Sequence, residues 1–139
     1  MKKVMVFGTF DILHLGHINL FKQAKKLGDY LVVVVSRDVS AEKIKKIKLV
    51  YSEKERLSFL QELKIVDEAI LGDKKDYYKV IKAEKPDIIA LGYDQQVNTE
   101  NLSVKLLNFG LKVKVVRLKS YKKNNFKSGI IKNKLEKIL

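Results

Sequence analysis

The strongest constraint on this chain is an alternation. Short apolar runs, Val4–Phe7, Tyr30–Val35, Ile88–Leu91 and Val113–Val116, are separated by longer stretches with helical spacing. A strand with one wet face alternates apolar and polar residues. The run Leu31-Val32-Val33-Val34-Val35 does not alternate, so it needs cover on both sides, as parallel strands have. The stretch after the first run places Leu20, Phe21, Ala24 and Leu27 on one helical face and Lys22, Lys25 and Lys26 away from it. Strand–helix repetition of this kind predicts a Rossmann-like α/β fold. The sheet is parallel and five-stranded, doubly wound in the order 3-2-1-4-5, with right-handed crossovers. Strands are expected at 3–7, 30–35, 66–71, 88–91 and 113–116. Helices are expected at 17–27, 52–63, 76–84, 101–109 and 127–138.

Local signals punctuate these elements. Gly28 is placed to end the first helix and Gly110 the fourth. Ser52-Glu53-Lys54-Glu55 reads as a capping box. Pro86 stops the third helix and is expected to force Lys85 into an extended conformation. The basic stretch 40–50 reads as a solvated helical turn or loop, or as a loop closing over a polyphosphate. At 139 residues the chain is expected to be one domain, 1–139, able to bury a core unaided.

A doubly wound sheet binds ligands at the carboxyl ends of its strands, where the winding reverses between strands 1 and 4. Two segments fall there. Gly8-Thr9-Phe10-Asp11-Ile12-Leu13-His14-Leu15-Gly16-His17 follows strand 1, and Gly92-Tyr93-Asp94-Gln95-Gln96 follows strand 4. Gly8 and Gly16 lack a Cβ and would let a ligand approach the backbone. The first N–H groups of the helix lack intrahelical partners and suit an anionic phosphate. His14 and His17, three apart at a helix start, project toward one place. Asp11 either orients a histidine or holds the turn, and the turn is the preferred role. Arg37, at the end of strand 2, is either a solvated strand end or a phosphate contact. Arg56 lies in a helical first turn, where a cation opposes the dipole and needs another partner.

Composition narrows the chemistry. There is no cysteine, so disulfides, thiolate catalysis and thiolate metal sites are excluded. The two histidines both belong to the segment after strand 1. The formal charge of +13 favours anionic partners, but the lysines are spread along the chain, without aromatic interleaving. Nucleotides and phosphorylated small molecules are therefore expected, not nucleic acid. No signal peptide is visible, and no apolar run is long enough to span a membrane, so the expected location is cytoplasmic.

The segment 8–17, G-T-F-D-I-L-H-L-G-H, resembles the signature of the cytidylyltransferase-like nucleotidyltransferases of the HIGH superfamily. The resemblance implies transfer of a nucleotidyl group from a nucleoside triphosphate to a phosphate-bearing acceptor. It implies that His14 and His17 stabilise the transition state at the α-phosphate. Gly8, Thr9, Phe10, Leu15 and Gly16 would line the nucleotide site. The nucleophile of such a reaction is already anionic, so the site must supply positive groups, N–H donors and Mg²⁺ rather than a strong base. The metal would come with the triphosphate, without protein side-chain ligands. Tyr51-Ser52-Glu53-Lys54-Glu55-Arg56 matches the family's Y-S-x-x-x-R, giving Arg56 a structural or a substrate-adjacent role.

Further pieces are similar to the archaeal FAD synthases over nearly the whole chain. They are L-G-D-Y-L-V-V-V-V-S-R-D at 27–38, V-D-E-A-I-L-G at 66–72, K-P-D-I-I-A-L-G-Y-D-Q at 85–95, and Tyr121-Lys122-Lys123 with Phe126 and Ser128. This resemblance implies ATP and FMN as substrates and FAD and pyrophosphate as products. Asp94 would contact the ATP ribose or base and Tyr121 would sit beside the nucleotide, unless it is an ordinary packed tyrosine. Lys46, Lys122, Lys123 and Ser128 are candidate phosphate or substrate contacts, and a homodimer is expected. Glycerol-3-phosphate cytidylyltransferases share the first motif, as do nucleotidyltransferases of lipopolysaccharide heptose synthesis. The former carry R-T-x-G-I-S-T-[ST] near the C-terminus, which this chain lacks. A basic nucleotide- or RNA-binding protein on the same fold is the alternative of another class.

Overall fold

A computed structural model of the chain describes residues 1–45, 48–120 and Lys134. Its elements are β1 (Lys3–Gly8), α1 (Leu15–Lys25), β2 (Tyr30–Val35), α2 (Asp38–Lys45), α3 (Glu53–Gln61), β3 (Glu68–Leu71), α4 (Tyr77–Glu84), β4 (Ile88–Leu91), α5 (Thr99–Asn108) and β5 (Lys114–Arg117). The described strands form one five-stranded sheet in the order β3-β2-β1-β4-β5. Every pairing is parallel, with Val4 opposite Leu31 and Gly8 opposite Val35. Order and direction are those expected from the alternating pattern. The helix expected over 127–138 lies outside the described residues.

Two cores explain the unbroken apolar runs. On one face Val4, Val6, Leu31, Val33 and Val35 pack with Phe21 and Ala24 of α1 and Leu60 of α3. On the other, Met5, Val32 and Val34 pack with Ile81 of α4 and Leu102 and Leu106 of α5. Leu31–Val35 are all 3% exposed or less, because alternate residues serve opposite cores. Each such side chain contributes about 1.5–3 kcal/mol on leaving water. No described helix is long and apolar enough to cross a membrane.

The element ends differ from expectation where local chemistry competes. The first helix begins at Leu15, with His14 as its cap, two residues earlier than periodicity alone suggested. Strand β3 begins at Glu68 rather than Val66. Residues 38–45 form a helix, α2. Gly28 does not supply a left-handed helix end. A Cβ there would lie 2.7 Å from the Lys2 carbonyl oxygen, so its role is close approach to β1. Lys85 is not extended but left-handed (φ 48°, ψ 60°), and its N–H donates to the Ile81 carbonyl. Closing the helix by that bond, with Pro86 buried behind it, overrides the pre-proline preference. Gly110 does take the left-handed conformation (φ 80°) at the end of α5.

Candidate active site

Strand β1 delivers the chain to Gly8, whose carbonyl accepts from Ser36 N–H at 2.9 Å and ties the ends of β1 and β2 together. The Ser36 hydroxyl donates to Thr9 Oγ1 at 3.2 Å. Phe10 is left-handed (φ 52°). That conformation costs a bulky residue on the order of 1–3 kcal/mol, and burial of the ring offsets it: Phe10 is 5% exposed. Its ring packs against Phe21 (5.3 Å between centroids) and edge-on against His17 (5.3 Å, 75°). A Cβ on Gly8 would lie 2.5 Å from Phe10 Cζ. The space that a Cβ on Gly8 would take is thus filled by this chain's own ring.

The histidines are built into the helix start. His14 is the N-cap of α1, and its Nδ1 accepts the Gly16 N–H at 3.0 Å. His17 Nδ1 accepts the His14 N–H at 3.3 Å, completing a capping box normally made by Ser and Glu. The His14 carbonyl takes the N–H groups of His17 (3.0 Å) and Ile18 (3.2 Å). The helix-start donors of Gly16, His17 and Ile18 are therefore engaged within the chain, contrary to the free anion nest expected there. In their place the cap fixes the tautomers. An imidazole whose Nδ1 accepts carries its hydrogen on Nε2 when neutral. Desolvation pushes the His14 pKa below its ordinary 6.5. The rings are stacked 3.8 Å apart at 26°. At that separation two imidazolium charges would repel by roughly 1 kcal/mol in water and about 4 kcal/mol at an effective dielectric near 20. The stacking disfavours two charged rings together, and desolvation favours a neutral His14, whose hydrogen then sits on Nε2.

The segment after β4 is brought against this one. Gln95 Nε2 donates to the Phe7 carbonyl at 2.8 Å, and Gln95 Oε1 accepts the Gly92 N–H at 2.7 Å. Gly92 packs close to Leu20 of α1, where a Cβ would lie 3.3 Å from the leucine Cδ1. Asp94, exposed in this loop, thus belongs to a segment bonded directly to the end of β1. Arg117, the last residue of β5, holds the loop from its other side. Its guanidinium donates to the carbonyls of Gly92 (2.8 Å), Gln95 (2.7 Å) and Val97. Sequence reading passed over Gln95 and Arg117. Arg117 carried a usable signal, a cation at the carboxyl end of a strand.

Three charged residues prove to be fasteners. Asp11, 4% exposed, accepts the N–H groups of Val50 (2.9 Å) and Tyr51 (2.9 Å), some forty residues on. It therefore anchors the entry to α3, which neither of its expected roles foresaw. Arg56 is fully buried and donates to the Thr9 carbonyl (2.8 Å), the Tyr51 carbonyl (3.2 Å) and Asp38 Oδ1 (2.7 Å). Arg37 donates to the Gly72 carbonyl at 2.8 Å and pairs with Glu53 at 2.9 Å. Among the described residues no three of His, Asp and Glu stand together as a metal site. Lys46, Tyr121, Lys122, Lys123 and Ser128 lie outside the described residues.

Known proteins resemble this one throughout. The family model described as cytidylyltransferase-like matches residues 5–134. An FAD synthase of Thermoplasma volcanium is 45% identical over 139 residues, all of this chain and 97% of that one. An FAD synthase of Ferroglobus placidus is 49% identical over 120 residues, covering 86% and 78% of the two chains. Among solved structures, a lipopolysaccharide core biosynthesis protein of Thermoplasma volcanium superposes with a TM-score of 0.84 at 48% identity, covering 88% of this chain and 99% of that one. A pantoate-beta-alanine ligase of Francisella tularensis shares the fold at a TM-score of 0.61 and 16% identity, over 97% and 69% of the chains.

Proposed function

This chain belongs to the cytidylyltransferase-like nucleotidyltransferases and, within them, to the FAD synthases, and from that premise we propose that His14 and His17 serve the transfer of AMP from ATP to FMN. An FMN phosphate oxygen attacks the α-phosphorus of ATP. The bond to the bridging oxygen breaks, and the electron pair leaves with pyrophosphate, giving FAD. The attacking phosphate is already anionic, so the barrier lies in charge repulsion and alignment.

The observation that carries the reading is the pair of imidazoles stacked 3.8 Å apart and locked by the helix cap, each with Nδ1 accepting a backbone N–H. Fixed donors need no reorganisation as charge builds on the α-phosphate oxygens, and neutral rings cost less to bury than charged ones. Gly8, Thr9 and Phe10 shape the turn behind these donors. Asp94 is assigned to the ATP ribose or base, because its loop adjoins the end of β1 where the sheet's winding reverses. The divalent cation, Mg²⁺ or a similar ion, is assigned to the triphosphate as part of the substrate. Lys46, Tyr121, Lys122, Lys123 and Ser128 are assigned to the nucleotide and its phosphates on family resemblance alone. Residues 1–139 are taken as a single nucleotidyltransferase domain working in the cytoplasm.

The test is direct. Purified protein is incubated with Mg²⁺, ATP or CTP, and FMN or glycerol 3-phosphate, and pyrophosphate and products are measured by chromatography. FAD formed only from ATP with FMN supports the proposal. CDP-glycerol as the product would overturn it in favour of a cytidylyltransferase.

A further inference from the structure

An aromatic pair stands at the carboxyl rim of the sheet. Phe7, next to last in β1, and Tyr77, first residue of α4, have ring centroids 4.9 Å apart and planes 31° apart. Phe7 is partly buried against the core beneath α4 and α5. Tyr77 remains 39% exposed. Its hydroxyl is nevertheless pushed up to about 12 by desolvation. The ring is thus packed against Phe7 on one side and open to solvent elsewhere.

The neighbouring aromatics are already occupied. Tyr78 has the Lys105 ammonium 4.7 Å from its centroid, and Phe109 has Lys82 at 3.9 Å. Tyr77 meets Tyr78 edge-on (5.2 Å between centroids, 88°), and among the described residues no lysine stands over its ring, so its exposed part is placed to receive a planar ligand. It is also held in place beforehand. The Asp73 carboxylate accepts the N–H groups of Lys75 (3.0 Å) and Asp76 (2.8 Å), and the Asp76 carboxylate accepts that of Tyr78 (2.9 Å). A turn fixed in this way loses little entropy when a ligand settles on it. The Phe7 carbonyl is the group bonded by Gln95, so the end of β1 joins the aromatic pair to the loop of Asp94. With the nucleoside assigned to the β1–β4 side, the flank beneath α4 is left for the acceptor.

We infer that Tyr77, backed by Phe7, is the platform on which the isoalloxazine ring of FMN stacks. The inference rests on the proposed transfer to FMN. It requires a neutral, flat, largely apolar ligand surface, which the flavin ring supplies and a small polyol phosphate does not.

The experiment is an FMN titration followed by quenching of flavin fluorescence, with steady-state KM values for FMN and ATP measured in parallel. Tyr77→Phe, which keeps a ring for stacking, should bind FMN within about threefold of wild type. Tyr77→Leu, which keeps apolar bulk but no ring, should raise the FMN Kd and KM roughly 10- to 100-fold. It should lose most of the quenching and leave the ATP KM unmoved. Wild-type FMN affinity and full quenching in Tyr77→Leu would overturn the platform. Should that variant fold poorly, Tyr77→Trp enlarges the ring at the same place, and quenching and affinity unchanged by it would overturn the inference equally. A wild-type protein that makes FAD while the variants show no difference refutes the platform alone. A wild-type protein that neither binds FMN nor makes FAD refutes the transfer reading, and the platform with it.

Discussion

Replacing Arg56 with methionine tests whether this arginine holds the site together or touches substrate. The guanidinium is fully buried, and its recorded donors go to Thr9 O, Tyr51 O and Asp38 Oδ1. Methionine keeps the length and apolar stem but offers no donor. Losing one member of a buried ion pair costs about 3–5 kcal/mol when both charges are buried. The Asp38 side chain is 36% exposed, so water can take up much of that carboxylate's loss and the contact is discounted. The two carbonyls each lose a charged donor, a bond of about 1.5–3 kcal/mol, and methionine packing recovers part. A net cost of about 3 kcal/mol follows. Unfolding entropy near 2.1 cal/mol/K per residue over 139 residues is about 0.29 kcal/mol/K, so the melting temperature should fall by about 10 °C. Arg56→Lys keeps the charge but not the three-way fork, and should restore less than half of the loss. The assay is calorimetric melting beside kcat/KM for ATP, measured well below both melts. A melting temperature lowered by less than about 3 °C, together with a hundredfold loss of kcat/KM, would refute the fastener role and show a substrate contact.

His14→Asn separates capping from chemistry. Asparagine is a good N-cap, so stability should stay within about 1 kcal/mol of wild type, while loss of the Nε2–H donor should lower kcat by about 10²–10³. Melting and turnover of the same sample decide it, and an active Asn variant would leave His14 as a cap only. The depressed His14 pKa sets a pH dependence. The neutral ring's contribution to stability is complete above the ordinary value of 6.5 and is lost as pH falls through the lowered folded-state value. The acid limb of kcat/KM should therefore have its midpoint below 6.5, and activity that instead falls as the pH rises through this range would mean that the imidazolium is the working form. Arg117→Met should loosen the Gly92–Val97 loop and raise the ATP KM about tenfold, the equivalent of one charged hydrogen bond. The FMN KM should stay put; an effect on FMN alone would detach Arg117 from the nucleotide loop.

Much of the architecture was legible in the sequence because it depends on patterns that tertiary contacts merely reinforce. Leu31–Val35 cannot be half-exposed, so a parallel, doubly covered sheet follows, and with it the order 3-2-1-4-5 and the meeting of strands 1 and 4. Ser52 and Glu55 form the expected capping box because its bonds span only three residues. Lys85 misled because a local proline rule lost to the bond that closes α4. Asp11, Arg37 and Arg56 could not be resolved for a different reason. Apart from the Tyr51 carbonyl bonded by Arg56, their partners lie between 16 and 47 residues away in the chain, and no local pattern states which distant carbonyl or carboxylate will reach a charged side chain.

The same division runs through the site. That two histidines sit at a helix start beside a strand end was plain from spacing. That each spends its Nδ1 on a backbone N–H, leaving Nε2 as the donor, was decided by the geometry of the folded turn. So was the folding of the Phe10 ring over Gly8. Residue types and periodicity settle which surfaces must be buried, since burial depends on local composition. Which direction a polar atom faces depends on where the rest of the chain has already placed its partners, and only the assembled structure supplies those.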